Sequence, residues 1–253
     1  MSFYSMSFIL DQMPIFPQLS FTFYKRSSIA LLIFALFNII IGQFTNIDLM
    51  IQDYYFDTAT QKFPWKNTWF AKDLMHGYVK YVITDIGRLL LLVVILDFIF
   101  SWRKPWRFIS QWLRLRLRFV AIASLLIATP ISIVKHFSSL HCPWDETRYG
   151  GFAPFLRLFD AVPSAMQPGH CFPAGHATVG LWLAALCVFW LPHKPKTAFS
   201  VLLAGLSVGF ALGWVQQMRG AHFLFHTLWS TWLAAFVIVI MLTFTQSLNK
   251  MTE

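Results

Sequence analysis

Residues 169–192 read GHCFPAGHATVGLWLAALCVFWLP. Two histidines, a cysteine, two glycines and a proline stand directly before an apolar run with no charged side chain. Ionisable groups at the edge of so greasy a segment place that edge at an interface, and the surrounding chain says which one. Of the 253 residues 57% are hydrophobic, 18% aromatic and only 12% charged, against about 25% charged in an ordinary soluble domain. Stretches of roughly 18 or more apolar residues read as membrane-spanning helices. Six occur, at about 27–44, 79–100, 117–135, 174–192, 197–218 and 224–246. The expected fold is all-α: a polytopic six-helix membrane bundle forming one domain over residues 1–253, with no internal repeat or linker.

The net charge of +9 argues for topology rather than for nucleic acid. Its carriers cluster between apolar segments: Lys25 and Arg26; Arg103, Lys104, Arg107, Arg114, Arg116 and Arg118; Lys194 and Lys196; Lys250. The positive-inside rule puts such clusters in the cytoplasm, which places both termini there. Residues 1–24 lack the pattern of a cleavable signal, so the first apolar segment is expected to be an uncleaved anchor. The opening MSFYSMSFILDQMPIF fits a short interfacial helix. Within the spans, Asp85 and Arg88 are three apart and suit a structural pair near the outer end. Asp97 lies near the inner end and needs no special role.

The outer loops are then residues 45–78, 136–173 and 219–223. The first mixes Asp48, Asp53 and Asp57 with aromatics, like a cover at the membrane surface. Three separate segments bring ionisable groups to the same face: Lys135, then His176, then Arg219 with His222 and His226. In CFPAGH, Pro173 fits the first turn of the fourth helix. The amides of Ala174, Gly175 and His176 would be free donors at the positive end of the helix dipole, a setting that favours phosphate. In MRGAHFLFH, His222 and His226 are spaced to share one helical face. Such a pair could bind a metal, or one ring could be a nucleophile that the other orients. Arg219 beside them suits an anion better than a cation.

The order Lys135, CPWD, FPAGH, RGAHFLFH on alternating helix ends resembles the type 2 phosphatidic acid phosphatase family. Its pattern is Lys-x6-Arg-Pro, Pro-Ser-Gly-His and Ser-Arg-x5-His-x3-Asp. The resemblance implies a six-span phosphatase that works through a phosphohistidine. On that reading His222 is the nucleophile, with His226 as its orienting partner, and His176 is the general acid. Lys135, Arg148, Arg219 and the amides at Ala174, Gly175 and His176 form the phosphate clamp. The chain departs from the pattern at four places: Cys142 stands for the Arg, Ala174 for the first Ser, Val215 and Gln216 for Ser-Arg, and His226 for Asp. Arg148 and Arg219 are the candidate replacements for the missing arginines.

The expected activity is hydrolysis of a lipid phosphomonoester or pyrophosphate at the periplasmic face of a bacterial inner membrane, without cofactor or metal. Phosphotransfer to a second lipid and non-catalytic lipid-phosphate binding or transport remain as alternatives. Phosphatidylglycerol phosphate, undecaprenyl pyrophosphate, phosphatidic acid and lipid A phosphates are all open as substrates. The expected partners are the lipid substrate and membrane lipids, with no nucleic acid. Cys187 reads as a packing residue. Cys142 and Cys171 share the second outer loop, where the periplasm permits a disulfide; pairing is the expectation, two free thiols the alternative.

Overall fold

The computed structural model describes residues 19–101 and 110–252, and of residues 101 and 246–252 the backbone course alone. The opening interfacial segment and Arg103, Lys104 and Arg107 lie outside the described residues, as does the side chain of Lys250. The described chain is all-helical. Helix α1 (Phe21–Ile39) starts on Ser20, whose hydroxyl accepts from the Phe23 amide, and ends in a wider turn at Ile40–Phe44. Helix α2 (Ile47–Tyr55) lies across one end of the bundle. Helix α3 (Lys80–Ser101) is entered through wide turns at Trp69–Val79, capped by Thr68. Helix α4 (Gln111–Phe137) is capped by Ser110, α5 runs over Gly175–Trp190, α6 over Pro195–Met218 with proline in its first turn, and α7 over Leu224–Thr252.

Among the described residues, four stretches are long and apolar enough to cross a membrane: Phe21–Phe44, Gln111–Phe137, Pro195–Met218 and Leu224–Thr245. The other two expected spans are present as helices but fall short in different ways. Helix α3 carries Lys80, Asp85, Arg88 and Asp97, and α5 is short. Much of α5, Trp182–Trp190, is wound as a tight 3-10 helix. That winding rises about 2.0 Å per residue instead of about 1.5 Å. Even this short helix therefore reaches on the order of 30 Å, about the thickness of a bilayer's hydrocarbon core.

Two charged residues at the end of the bundle away from the histidines have more to do than the sequence suggested. Arg116 is buried; its Nε donates to the Val188 carbonyl and its Nη2 to that of Leu191, both at 3.2 Å, and it lies over the Trp112 ring. It thus satisfies carbonyls left open at the end of α5. Asp97, expected to need no role, joins α3 to α4 by pairing with Arg114 at 2.9 Å and Arg118 at 2.7 Å. Asp85 and Arg88 do form the expected pair within α3, at 2.9 Å.

The tightest packing is between α5 and α6. Gly205, Gly209 and Gly213 stand four apart on α6. A carbon added at Gly205 would strike the Ala184 backbone, one at Gly209 the Leu181 side chain, and one at Gly213 the Thr227 side chain of α7. From the α5 side, a carbon at Gly180 would come within 2.7 Å of the Gly209 nitrogen. Small residues at this spacing let backbones approach closely, which drives helix association where lipid removes any hydrophobic preference. Gly205→Leu should therefore cost about 1–3 kcal/mol through overpacking, lowering the melting temperature in detergent by roughly 5 °C or more. Gly87→Ala, whose added carbon meets Trp182 at an ordinary 3.5 Å, should leave it unchanged. Equal melting temperatures for the wild type and Gly205→Leu would contradict this packing.

Candidate active site

The close crossing brings the start of α5, the end of α6 and the start of α7 to one end of the bundle. Helix α6 ends at Arg219, and Gly220 turns the chain with φ +71°, a conformation costly for any side chain. A carbon there would also strike the Phe63 ring. Helix α2 pins the chain beyond that turn: buried Asp48 accepts from the Phe225 amide at 3.1 Å, and Gln52 Nε2 donates to the His222 carbonyl at 3.1 Å. Asp48 so supplies from a distant segment the cap that a helix start needs.

His222 sits in the turn before α7 and His226 in its first turn, so the two do not share a helical face as their spacing suggested. Their rings still meet, with centroids 5.7 Å apart and Nδ1 atoms 3.4 Å apart. His222 Nδ1 also lies 3.4 Å from Cys171 Sγ, and the Cys171 backbone stands beside the rings of both histidines. With Nδ1 turned to the disulfide and His226, Nε2 is the other nitrogen of the His222 ring. Burial, then the neighbouring His226, His176 and Lys135, hold the His222 ring well below the usual imidazole range, so it is neutral. The His176 ring stands 5.9 Å from that of His222.

The sequence reading missed His76. It comes from the turns that lead into α3, and its Nε2 lies 2.9 Å from Nε2 of His176, with ring centroids 4.7 Å apart. A lone histidine in an aromatic-rich loop carried no spacing signal that could have singled it out. Burial, then the charges of Arg219 and Lys80, keep His76 below its ordinary pKa and hence neutral.

Among the expected anion binders, Lys135 and Arg219 converge and Arg148 does not. A carbon built on Gly175 would lie 3.8 Å from Lys135 Nζ, so the ammonium reaches the first turn of α5. Arg219 is buried; its Nε donates to the Lys66 carbonyl at 3.1 Å and its Nη1 to Gln216 Oε1 at 3.0 Å. Gln216, standing where the family pattern has Arg, thus holds another arginine in place. Arg148 grips Asp53 of α2 with Nε at 2.8 Å and Nη2 at 2.6 Å, and Tyr149 joins the same carboxylate. That guanidinium holds Asp53 below the usual carboxylate range, and the pair staples loop to cover instead of facing the histidines.

Ala174 also differs from expectation. Helix α5 begins at Gly175, with Ala174 at its cap and Pro173 before it. The Ala174 amide is not free: it donates to the His226 carbonyl at 3.2 Å, while Ser230 Oγ donates to the Ala174 carbonyl at 3.0 Å. Ala174 therefore joins α5 to α7, and Gly175 and His176 carry the first amides of the helix.

Cys142 and Cys171 are joined by a disulfide, with Cα atoms 5.3 Å apart. Their sulfurs and a ring nitrogen of His222 lie within 4.8 Å of one another, close enough to suggest a metal site. With the two sulfurs bonded to each other neither offers a thiolate, so the donor set does not fit a metal in this state. The disulfide instead fixes Cys171 against the His222 ring.

The profile of the PAP2 superfamily matches residues 115–250, more than half of the chain. The chain belongs to the PAP2 superfamily. The matched region covers α4 to α7 and with them Lys135, His176, Arg219, His222 and His226. No curated protein and no solved structure gives a significant match. The PAP2 superfamily is a phosphatase family acting on phosphate esters.

The cover over this PAP2 site contains two buried acids. Burial, reinforced by the charges of Asp145 and Asp48, pushes Glu146 up to about 9, and Glu146 Oε2 has no hydrogen-bond partner. Burial, opposed by the Phe225 and Leu224 amides, pushes Asp48 up to about 7. Both folded values lie above the unfolded ones, so between them the folded state holds more protons. Stability from these groups is complete at low pH and is lost as pH rises through about 7 and then about 9. The melting temperature should fall between pH 6 and pH 9, and Glu146→Gln should raise it at pH 9 by on the order of 5 °C. A melting temperature that rises with pH over that window would contradict this assignment.

Proposed function

We propose that the chain is a lipid-phosphate phosphatase spanning the membrane six times, with both termini cytoplasmic and its site facing the periplasm. It cleaves a phosphomonoester or pyrophosphate through a phosphohistidine on His222 and needs no metal. The observation that carries the reading is the orientation of His222: Nδ1 lies 3.4 Å from both Cys171 Sγ and His226 Nδ1, and Nε2 is left as the nucleophile of a neutral ring. The Cys171 backbone beside both rings takes the orienting role that the family pattern gives to Asp, which explains how His226 is tolerated there.

In the first step His222 Nε2 attacks phosphorus, the bond to the leaving oxygen breaks, and His176 gives that oxygen a proton. In the second, His176 takes a proton from water as its oxygen displaces the histidine. Lys135, Arg219 and the opening amides of α5 neutralise the phosphoryl oxygens as charge develops, a role a metal would otherwise fill. A lipid substrate is supported by the flank of the site. Trp69, Phe70, Tyr78 and Tyr81 are exposed around the segment that bears His76, as expected of an aromatic belt at headgroup depth.

Purified protein should release inorganic phosphate from a panel of phosphatidic acid, phosphatidylglycerol phosphate, undecaprenyl pyrophosphate and lipid A, with chelator present. His222→Ala should lower kcat on the best of these by on the order of 10³ or more. Unchanged activity in His222→Ala, or activity abolished by the chelator, would overturn the mechanism. A phosphorylated acceptor lipid without free phosphate would make the chain a phosphotransferase.

A further inference from the structure

We infer that His76 is the positioning residue of the general acid, accepting a hydrogen bond from Nε2 of His176 so that Nδ1 of His176 faces the substrate. The inference rests on the phosphohistidine reading and assigns a role to a residue outside the PAP2 match, which begins at residue 115.

Two imidazole nitrogens 2.9 Å apart hold one proton between them, because two lone pairs or two N–H groups at that distance repel. A general-acid His176 bears a proton on each ring nitrogen as the imidazolium, so His76 has to be the acceptor of its Nε2–H. It stands on the cover, neutral, with Arg219 and Lys80 as its charged neighbours. His176 then carries the proton on Nε2, and its Nδ1 is the atom left for chemistry. That Nδ1 is buried and has no hydrogen-bond partner among the described residues. An unpartnered nitrogen is costly in a packed site, and here it lies on the ring that faces His222. Around the His176 ring stand His76, His222 and the charges of Lys80, Lys135 and Arg219.

The proton balance is complete with these groups. In the first step the Nδ1 proton of the His176 imidazolium passes to the leaving oxygen as the phosphorus–oxygen bond breaks and the His222–phosphorus bond forms. In the second, Nδ1 takes a proton from water as the water oxygen bonds phosphorus and the His222 bond breaks. Throughout, Nε2–H stays donated to His76, which stabilises the imidazolium in the way a third group orients the base of a catalytic triad. The sequence alone could not reveal this, since residues 76 and 176 are 100 positions apart.

The test compares an alkyl phosphate lipid, whose leaving alkoxide needs the proton, with 4-nitrophenyl phosphate, whose leaving group does not. His76→Ala should lower kcat on the alkyl phosphate by about 10–100-fold, within the range a general acid supplies, and leave 4-nitrophenyl phosphate within about threefold. His76→Gln, whose amide oxygen is an acceptor, should restore part of the loss. Equal losses on both substrates, or no loss on either, would overturn the inference. Nitrogen NMR of histidine-labelled wild type gives a reading independent of turnover: His176 protonated on Nε2 is expected, and protonation on Nδ1 in the neutral ring would overturn it. If His176→Ala and His222→Ala both keep full activity, the phosphohistidine reading fails, whereas a failure confined to His76 leaves that reading intact.

Discussion

The structure depends on the near contact of two backbones, where Gly180 of α5 meets Gly209 of α6 and Gly205 meets Ala184. In lipid there is little hydrophobic gain in bringing helices together, so the association rests on shape and dispersion. Small residues at a four-residue spacing supply that shape. Because the two helices run in opposite directions, the same contact fixes the first turn of α5 against the last turn of α6, and so His176 against Arg219 and His222. Gly213 extends the stripe to Thr227 of α7, which adds His226 to the group. The site is a consequence of the packing, reached without any long catalytic loop.

Helix ends alone would leave these histidines able to turn. The cover restrains them from above through Asp48 on the Phe225 amide, Gln52 on the His222 carbonyl, Arg219 on the Lys66 carbonyl and His76 on His176. The disulfide between Cys142 and Cys171 works from the side, holding Cys171 against the His222 ring. These restraints make the departures from the family pattern intelligible. Gln216 positions Arg219, Cys142 is half of the disulfide, and Ala174 is packed where its backbone links α5 to α7. Each replacement supports a neighbouring part of the site: the Arg219 guanidinium, the loop carrying Cys171, or the join of α5 to α7.

The apolar runs made the helices legible in the sequence, since a stretch of spanning length has few other readings. The candidate groups at Lys135, His176, Arg219, His222 and His226 were legible because ionisable residues at the edges of such runs are rare. Arg148 was misplaced because its position relative to Cys142 said nothing about Asp53, 95 residues away, with which it pairs. His76 was missed for the same reason: a contact between distant loops leaves no local pattern. The burial of Arg116 and the 3-10 winding of α5 were equally invisible, since both are set by tertiary packing: Arg116 satisfies the carbonyls where that short helix ends.

The central claim is that His222 is the nucleophile this packing presents, and trapping the intermediate tests it most directly. Enzyme mixed with its best lipid phosphate, quenched within milliseconds at alkaline pH and digested, should yield one phosphorylated peptide. The phosphoryl group is expected on His222, accumulating in the wild type and absent from His222→Ala. A phosphoryl group on His176 or His226, or turnover with no phosphorylated histidine at any quench time, would contradict the claim.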